Sequence, residues 1–219
     1  MQLSDLLSHP GEHSLFLQGE AGSIETMVTV PEQPHGKFIA LLGHPHSLQG
    51  GTMNNKVVTT LARTFKDIAI PSIRFNFRGV GESAGTYDGG IGESADMRQI
   101  AELALQAMPK AQCIFAGFSF GSYVAYRAAA HFVSRVLITV APPVHHFDYH
   151  EFLPPHPWII LQGNDDDVVP ASLVLDFCKT ISPEPCLLQF EETGHFFHGK
   201  LIELKTRLIE ALRSEAGIP

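Results

Sequence analysis

Ile114-Phe115-Ala116-Gly117-Phe118-Ser119-Phe120-Gly121-Ser122 is the stretch that decides the fold: an apolar run that ends in the pattern G-x-S-x-G and passes into helix-forming sequence. A strand that must become a helix within a few residues forces its central residue into a strained backbone. Glycines two before and two after it keep side chains out of the crowded turn. The serine is pushed into the open, and the helix beyond it aims backbone N–H groups at the same point. The position that holds an oxygen nucleophile therefore also carries donors for a developing oxyanion, the arrangement of a nucleophile elbow. The pattern fixes only three residues of common types, so alone it describes an ordinary strand-to-helix turn equally well.

The chain has 219 residues, which fits a single domain spanning 1–219 that buries about 70% of the surface its unfolded form would expose. Disulfide staples are not needed at that size. Cys113, Cys178 and Cys186 are an odd number at no metal-like spacing, which predicts free thiols in a reducing compartment. Met1 to Leu17 has no basic segment followed by a long apolar run, and no stretch approaches the ~20 apolar residues of a membrane span, so a soluble, cytoplasmic protein is expected. With 15 Lys+Arg against 23 Asp+Glu, the formal charge of −8 opposes attraction to nucleic acid or anionic membranes. Twelve histidines, including His44, His46, His145, His146 and His150, tempt a metal reading. No acidic or cysteine partners stand at fixed spacing around them, so neither metal nor cofactor is expected. Oligomeric state is not legible.

Working outward from the elbow, Ser14–Gly19, Ile24–Val30, Lys37–Leu42 and Ile70–Phe77 read as strands bounded by Gly, Pro and Asn. The first two alternate in polarity like an antiparallel edge, whereas Phe38-Ile39-Ala40-Leu41-Leu42 is continuously apolar, as in a strand buried on both faces. A parallel sheet is expected to begin near Lys37. Asn54–Lys66 carries Val57, Val58, Leu61 and Phe65 at helical spacing, and Glu93–Met108 carries Met97, Ile100, Ala101, Ala104 and Met108. Beyond the elbow, Tyr123–Phe132 reads as a helix and Arg135–Val140 and Trp158–Gly163 as strands. Pro170–Lys179 follows as a helix opened by proline at its first position, then the strand Cys186–Phe190 and the closing helix Leu201–Leu212. The alternation specifies an α/β fold, a mostly parallel sheet of about eight strands with helices on both faces and its site in loops at the strands' carboxyl ends.

A serine hydroxyl is a poor nucleophile at neutral pH, so a working elbow demands a histidine base and a carboxylate to orient it, each beyond a later strand. The strand at Trp158 runs into Asn164-Asp165-Asp166-Asp167-Val168-Val169-Pro170, and the strand at Cys186 runs into Glu191-Glu192-Thr193-Gly194-His195-Phe196-Phe197-His198. Each loop alone is unremarkable, a solvated turn and a loop histidine; together, in the order Ser, Asp, His at strand ends, they are a constellation. Among the aspartates, Asp166 sits mid-turn between Gly163 and Pro170, where it should overhang the sheet edge toward His195. Asp165 and Asp167 are expected to face elsewhere, bonding local backbone N–H groups or starting the helix.

With these motifs in place, the sequence resembles the α/β-hydrolase family, in particular its small bacterial branch without a lid, over nearly the whole chain. The resemblance rests on GFSFG at 117–121, on Gly163, Asp166, Val169 and Pro170 as G-x-x-D-x-x-V-P, and on GHFF at 194–197. It implies Ser119 as nucleophile, His195 as general base and acid, and Asp166 as the orienting carboxylate. Arg74 to Ser83 contains R-G-x-G-x-S, which in this family is a structural turn. The second oxyanion donor would come from Gly43-His44-Pro45-His46-Ser47-Leu48-Gln49-Gly50-Gly51, which departs from the usual H-G form. Pro45 has no N–H, so the donors are expected to be the backbone N–H groups of His46 and Phe120. His44 and His46 read as loop-shaping or pocket-lining rather than as further bases. Residues 142–153 are too few for a cap domain; their aromatics would either close over a small acyl group or pack as a surface loop. The activity implied is that of a carboxylesterase-like serine hydrolase acting on a small-molecule ester. The same machinery would serve a thioester, amide or lactone, and the competing class is a non-catalytic binding protein of the same fold.

Overall fold

A computed structural model describes residues 2–133 and 136–218. Arg135, where the expected sixth strand begins, lies outside the described residues, as do Met1, Ser134 and Pro219. The elements in chain order are α1 (Leu3–Leu6), β1 (Gly11–Gly19), β2 (Gly22–Val30), β3 (Phe38–Gly43), α2 (Lys56–Asp67), β4 (Ser72–Phe75), α3 (Ile91–Ala107) and β5 (Gln112–Phe118). They continue with α4 (Phe120–Ala129), β6 (Val136–Val140), β7 (Trp158–Gly163), α5 (Ala171–Cys178), β8 (Cys186–Phe190) and α6 (Leu201–Ala216). A 3-10 turn at Ser47–Gln49 follows β3.

The strands form one eight-stranded sheet in the order β1-β2-β4-β3-β5-β6-β7-β8. β1 and β2 form an antiparallel pair, and β2 joins β4 antiparallel; from β4 through β8 every pairing is parallel. The period-2 side-chain alternation of a strand explains why the central strands are apolar throughout. Ile39 and Leu41 of β3, Phe115 of β5, Leu137 of β6 and Ile160 of β7 pack on one face, with Met97, Ile100 and Ala104 of α3, Val124 of α4 and Val174 of α5. Ala40 and Leu42, Ile114 and Ala116, Ile138 and Leu161 pack on the other, with Val58, Leu61 and Phe65 of α2 and Leu204, Leu208 and Leu212 of α6. The helices thus cover both faces.

Several boundaries differ from those the sequence predicts. β4 keeps only four residues of the expected Ile70–Phe77, because its ladder to β2 spans Thr26–Thr29 alone. Helix α3 starts at Ile91, two residues early, where the buried Glu93 carboxylate accepts the N–H groups of Asp88 and Gly90 and so fixes the first turn. Pro170 is the N-cap of α5 rather than its first residue, with ψ of 127° still extended. Met108 lies just past α3 as its C-cap.

The R-G-x-G-x-S stretch is scaffold. Arg78 makes a two-pronged ion pair with Asp96 of α3, at 2.8 and 2.9 Å, and Ser83 bridges strands by donating to the Asn76 carbonyl and accepting from the Glu25 N–H. The residues between β6 and β7 form no cap. Phe147 stacks on Tyr123 at 4.5 Å, and buried Tyr149 packs against Tyr126 and Trp158. Their aromatics face α4 and β7, which makes this a packed surface loop.

Candidate active site

The turn after β5 shows why its glycines are there. Ser119 takes φ 53° and ψ −122°, a left-handed conformation that a side chain rarely adopts, and is the N-cap of α4. A Cβ on Gly117 would lie far inside the van der Waals radius of the Gly121 carbonyl, and one on Gly121 would collide with the backbone of Gly43. Strand β3, strand β5 and the start of α4 are therefore packed backbone to backbone, which leaves only Ser119 between strand and helix and puts the helix start at Phe120. Two further bonds lock the turn: the Ser119 N–H donates to the Val140 carbonyl at 2.8 Å, and Ser122 Oγ donates to the Gly117 carbonyl at 2.9 Å.

Two later loops converge on Ser119. Gly163 ends β7 without a side chain, and a Cβ there would strike the Thr193 carbonyl, so the loop after β8 can lie directly across it. The Asp165 N–H donates to that carbonyl at 3.0 Å. This contact sets the loops in register, with buried His195 donating from Nδ1 to Asp166 Oδ2 at 2.9 Å and facing Ser119 Oγ with Nε2 at 3.1 Å. Asp165 and Asp167 are exposed, whereas Asp166 is buried. The expected division of labour in this turn is corrected in one respect. Asp166 itself bonds the local backbone, its Oδ1 accepting the N–H groups of Val168 at 2.9 Å and Val169 at 2.7 Å. One carboxylate shapes the turn with one oxygen and holds the imidazole with the other.

Gln162, the last residue before Gly163, was not singled out by the sequence. Its side-chain nitrogen lies 3.3 Å from Asp166 Oδ2, 3.1 Å from the Gly163 carbonyl and 2.9 Å from the Val169 carbonyl. All three are acceptors, so the NH₂ group must face them. Its own oxygen is buried with no partner among the described residues, a cost of about 1–3 kcal/mol. A glutamine ending the otherwise apolar run Trp-Ile-Ile-Leu was the one available cue.

The two histidines of the β3 loop have distinct roles. Fully buried His44 donates from Nδ1 to the Pro45 carbonyl at 2.6 Å and accepts the Phe77 N–H on Nε2 at 2.9 Å. Both nitrogens are engaged in the neutral form, and burial pushes its pKa down to about 4. His46 is half-buried between the rings of Tyr87 and Phe120 and caps the 3-10 turn, Nδ1 accepting the Leu48 N–H. In the neutral ring the hydrogen then sits on Nε2, 3.2 Å from Tyr87 Oη. Burial lowers its pKa, opposed by the Glu93 carboxylate. Neither ring is placed to act as a second base.

A cavity of about 140 Å³ opens at Ser119 and His195. From the β3 side it is bounded by the loop from Pro45 to Gly51 and by Asn55, the N-cap of α2; from the β7 and β8 side by Val168 and Phe196. Among the described residues no group of three or more His, Cys, Asp or Glu side chains could hold a metal ion, and no helix is long and apolar enough to cross a membrane. His145 and His146 have ring centroids 3.9 Å apart, and burial lowers the pKa of His145. The cysteines are free, the buried Cys113 thiol pushed up to about 12.

No family model matches the chain. It is 33% identical over 214 residues to the uncharacterized protein RP471 of Rickettsia prowazekii, covering 90% of this chain and 87% of that one. Among solved structures, XC6422 from Xanthomonas campestris, described as a member of the α/β serine hydrolases without a lid, superposes with a TM-score of 0.89 at 40% identity, over 92% of this chain and 94% of its own. An α-β serine hydrolase homologue from Coxiella burnetii gives 0.87 at 39% identity, over 91% and 97%. Est1E from Butyrivibrio proteoclasticus, at 15% identity and a TM-score of 0.80 over 93% and 99%, shares the fold.

Proposed function

The chain belongs to the α/β serine hydrolases without a lid, and from that premise we propose that it is a carboxylesterase-like enzyme that hydrolyses a small ester through an acyl-enzyme on Ser119. The observation that carries this reading is the unbroken path from Asp166 through His195 to Ser119, with links of 2.9 and 3.1 Å. An ionised carboxylate only accepts, so the hydrogen in its bond to His195 belongs to Nδ1, and a lone pair on Nε2 faces the serine hydroxyl.

Ser119 Oγ bonds to the ester carbonyl carbon while its proton passes to His195 Nε2 and the carbonyl electrons move onto oxygen. The oxyanion is received by the N–H of Phe120, at the start of α4 where no intrahelical acceptor exists, and by that of His46 in the β3 loop. One such donor is worth about 10²–10³ in rate. The tetrahedral species collapses, the alkoxy bond breaks, and His195 returns the proton to the departing alcohol oxygen. Water then attacks the acyl carbon as His195 takes its proton; Oγ leaves with that proton, and the carboxylic acid is released.

A fluorophosphonate probe followed by peptide mass spectrometry tests the nucleophile, and a panel of matched esters, thioesters, amides and lactones tests the bond. Labelling at Ser119 and fastest turnover of esters are expected, with both lost in Ser119→Ala while its circular dichroism is unchanged. Ser119 is half-buried and leaves no core cavity. Absence of labelling in folded protein, with a control esterase labelled, would leave a binding protein as the reading. A thioester preferred over its ester would move the substrate class.

A further inference from the structure

Resting on the acyl-enzyme reading above, we infer that the substrate's alcohol half is apolar and uncharged and is seated on Val168 and Phe196, outside a cavity that admits only a short acyl group. The cavity has unlike walls. Ser119 directly follows β5, and the sheet order puts β3 on one side of that strand and β6, β7 and β8 on the other. The β3 wall is mixed, formed by Pro45, His46, Gln49, Gly50, Gly51 and Asn55; the opposite wall is apolar, formed by Val168 and Phe196. Among the described residues no Asp, Glu, Lys or Arg lines the cavity.

The chemistry determines which half of the ester meets which wall. His195 Nε2 must hand its proton to the leaving oxygen, so that oxygen lies within hydrogen-bond reach of the imidazole and its substituent emerges beside it. Phe196 is what it meets there: its ring stands edge-on to His195, with centroids 5.1 Å apart at 86°, and is backed by Phe118 at 6.0 Å and 70°. Val168 comes from the turn that carries Asp166, and its N–H is bonded to that carboxylate. Both residues are 46% exposed, although Val168 is tied by its N–H to Asp166 and Phe196 directly follows His195. Ordered apolar surface left in water beside a reactive centre gains by being covered, about 25 cal/mol per Å².

Size separates the two halves. At about 140 Å³ the cavity is far below the ~300 Å³ at which pockets begin to enclose a drug-sized ligand, so both halves of an ester do not enter together. The acyl group lies against the small β3 wall, and the alcohol spreads over the apolar rim. Among the described residues no carboxylate side chain lines the site to pair with a cationic alcohol, and at a ring as exposed as Phe196 a cation–π contact is worth only about 0.5–1 kcal/mol, against the cost of taking the cation out of water.

The test compares kcat/KM for methyl, benzyl, 3,3-dimethylbutyl and choline acetates in wild type, Phe196→Ala and Val168→Ser. Wild type should prefer benzyl to methyl acetate, and 3,3-dimethylbutyl acetate to the isosteric cation choline acetate. The benzyl-to-methyl preference should fall about two- to tenfold in Phe196→Ala, mainly through KM, the size expected for losing one aromatic contact. Val168→Ser keeps the N–H that bonds Asp166 and should lower it in the same direction by less. Preferences unchanged in both variants, or choline acetate matching its neutral isostere, would overturn the inference while esters are still turned over and Ser119 is still labelled. If no ester is turned over and no label is taken up, the acyl-enzyme reading itself falls, and this inference with it.

Discussion

Asp166 and His195 are joined by a 2.9 Å hydrogen bond across 29 residues of chain, and the carboxylate that makes it is also bonded to two backbone N–H groups of its own turn. The turn therefore cannot present a different aspartate without losing its internal bonds. Asp166→Asn should keep the shape but favour the wrong imidazole tautomer, lowering kcat by up to ~10⁴-fold. Asp165→Asn and Asp167→Asn, at exposed positions, should cost about tenfold or less, roughly 1.4 kcal/mol. Steady-state kinetics of the three variants decides the matter, and a crippled Asp165 or Asp167 variant beside an active Asp166→Asn would refute the assignment.

Gln162 donates to Asp166 from behind the His195 contact and also to the carbonyl of Val169. Gln162→Leu removes these donors, so a stability loss of about 1–3 kcal/mol in urea is expected. If the bond also positions the carboxylate, kcat should fall about tenfold with KM little changed. An unchanged kcat would leave Gln162 a purely structural residue.

Gly117 and Gly194 both belong to motifs but differ in the space around them. A Cβ at Gly117 meets the backbone of Gly121, which cannot give way without moving α4, whereas at Gly194 the nearest atom is the Asp165 carbonyl oxygen at 3.8 Å. Gly117→Ala should cost about 3 kcal/mol in chemical denaturation and Gly194→Ala less than about 0.5 kcal/mol. Equal losses would show that the elbow is not held by close backbone packing.

His44 makes stability depend on pH. Its pKa in the folded protein is about 4, against an ordinary 6.5, so between these values the unfolded chain binds the extra proton. The contribution is complete above about pH 6.5 and is lost as pH falls toward 4, amounting to about 3 kcal/mol. Denaturation curves at pH 7.5, 6 and 5 should show wild type losing more stability on acidification than His44→Gln, even if the variant is weaker at neutral pH. Parallel losses would mean that His44 is not held neutral.

The small cavity sets an acyl-length preference. Acetyl and propionyl esters of one alcohol should be cleaved with higher kcat/KM than the octanoyl ester, because about 140 Å³ leaves no enclosed wall for a long chain. A rate rising steadily with acyl length would contradict the size argument.

The local pattern of the chain determined a great deal. Largely apolar runs at 158–163 and 186–190 yielded β7 and β8 with their observed ends, and the helical spacing of Val57, Val58, Leu61 and Phe65 identified the buried side of α2. These features are legible because side-chain periodicity and glycine stereochemistry act within a few residues of chain. The order Ser119, Asp166, His195 beyond the ends of β5, β7 and β8 was likewise visible, since each residue is marked by its neighbours in sequence. Tertiary structure alone decided the rest. That β4 pairs between β2 and β3, that α4 starts on Phe120, and that the aromatics of 147–152 turn toward α4 rather than over Ser119 all depend on which surfaces meet. So do the engagement of both His44 nitrogens, the donors of Gln162 and the two walls of the cavity, because a hydrogen bond or a packed ring is specified by partners brought from distant parts of the chain. Chain pattern encodes how each segment buries its own side chains, whereas the site is made by the approach of Gly163 to Thr193 and of Gly117 to Gly121, and close contacts of that kind leave no mark in a sequence beyond the missing side chain.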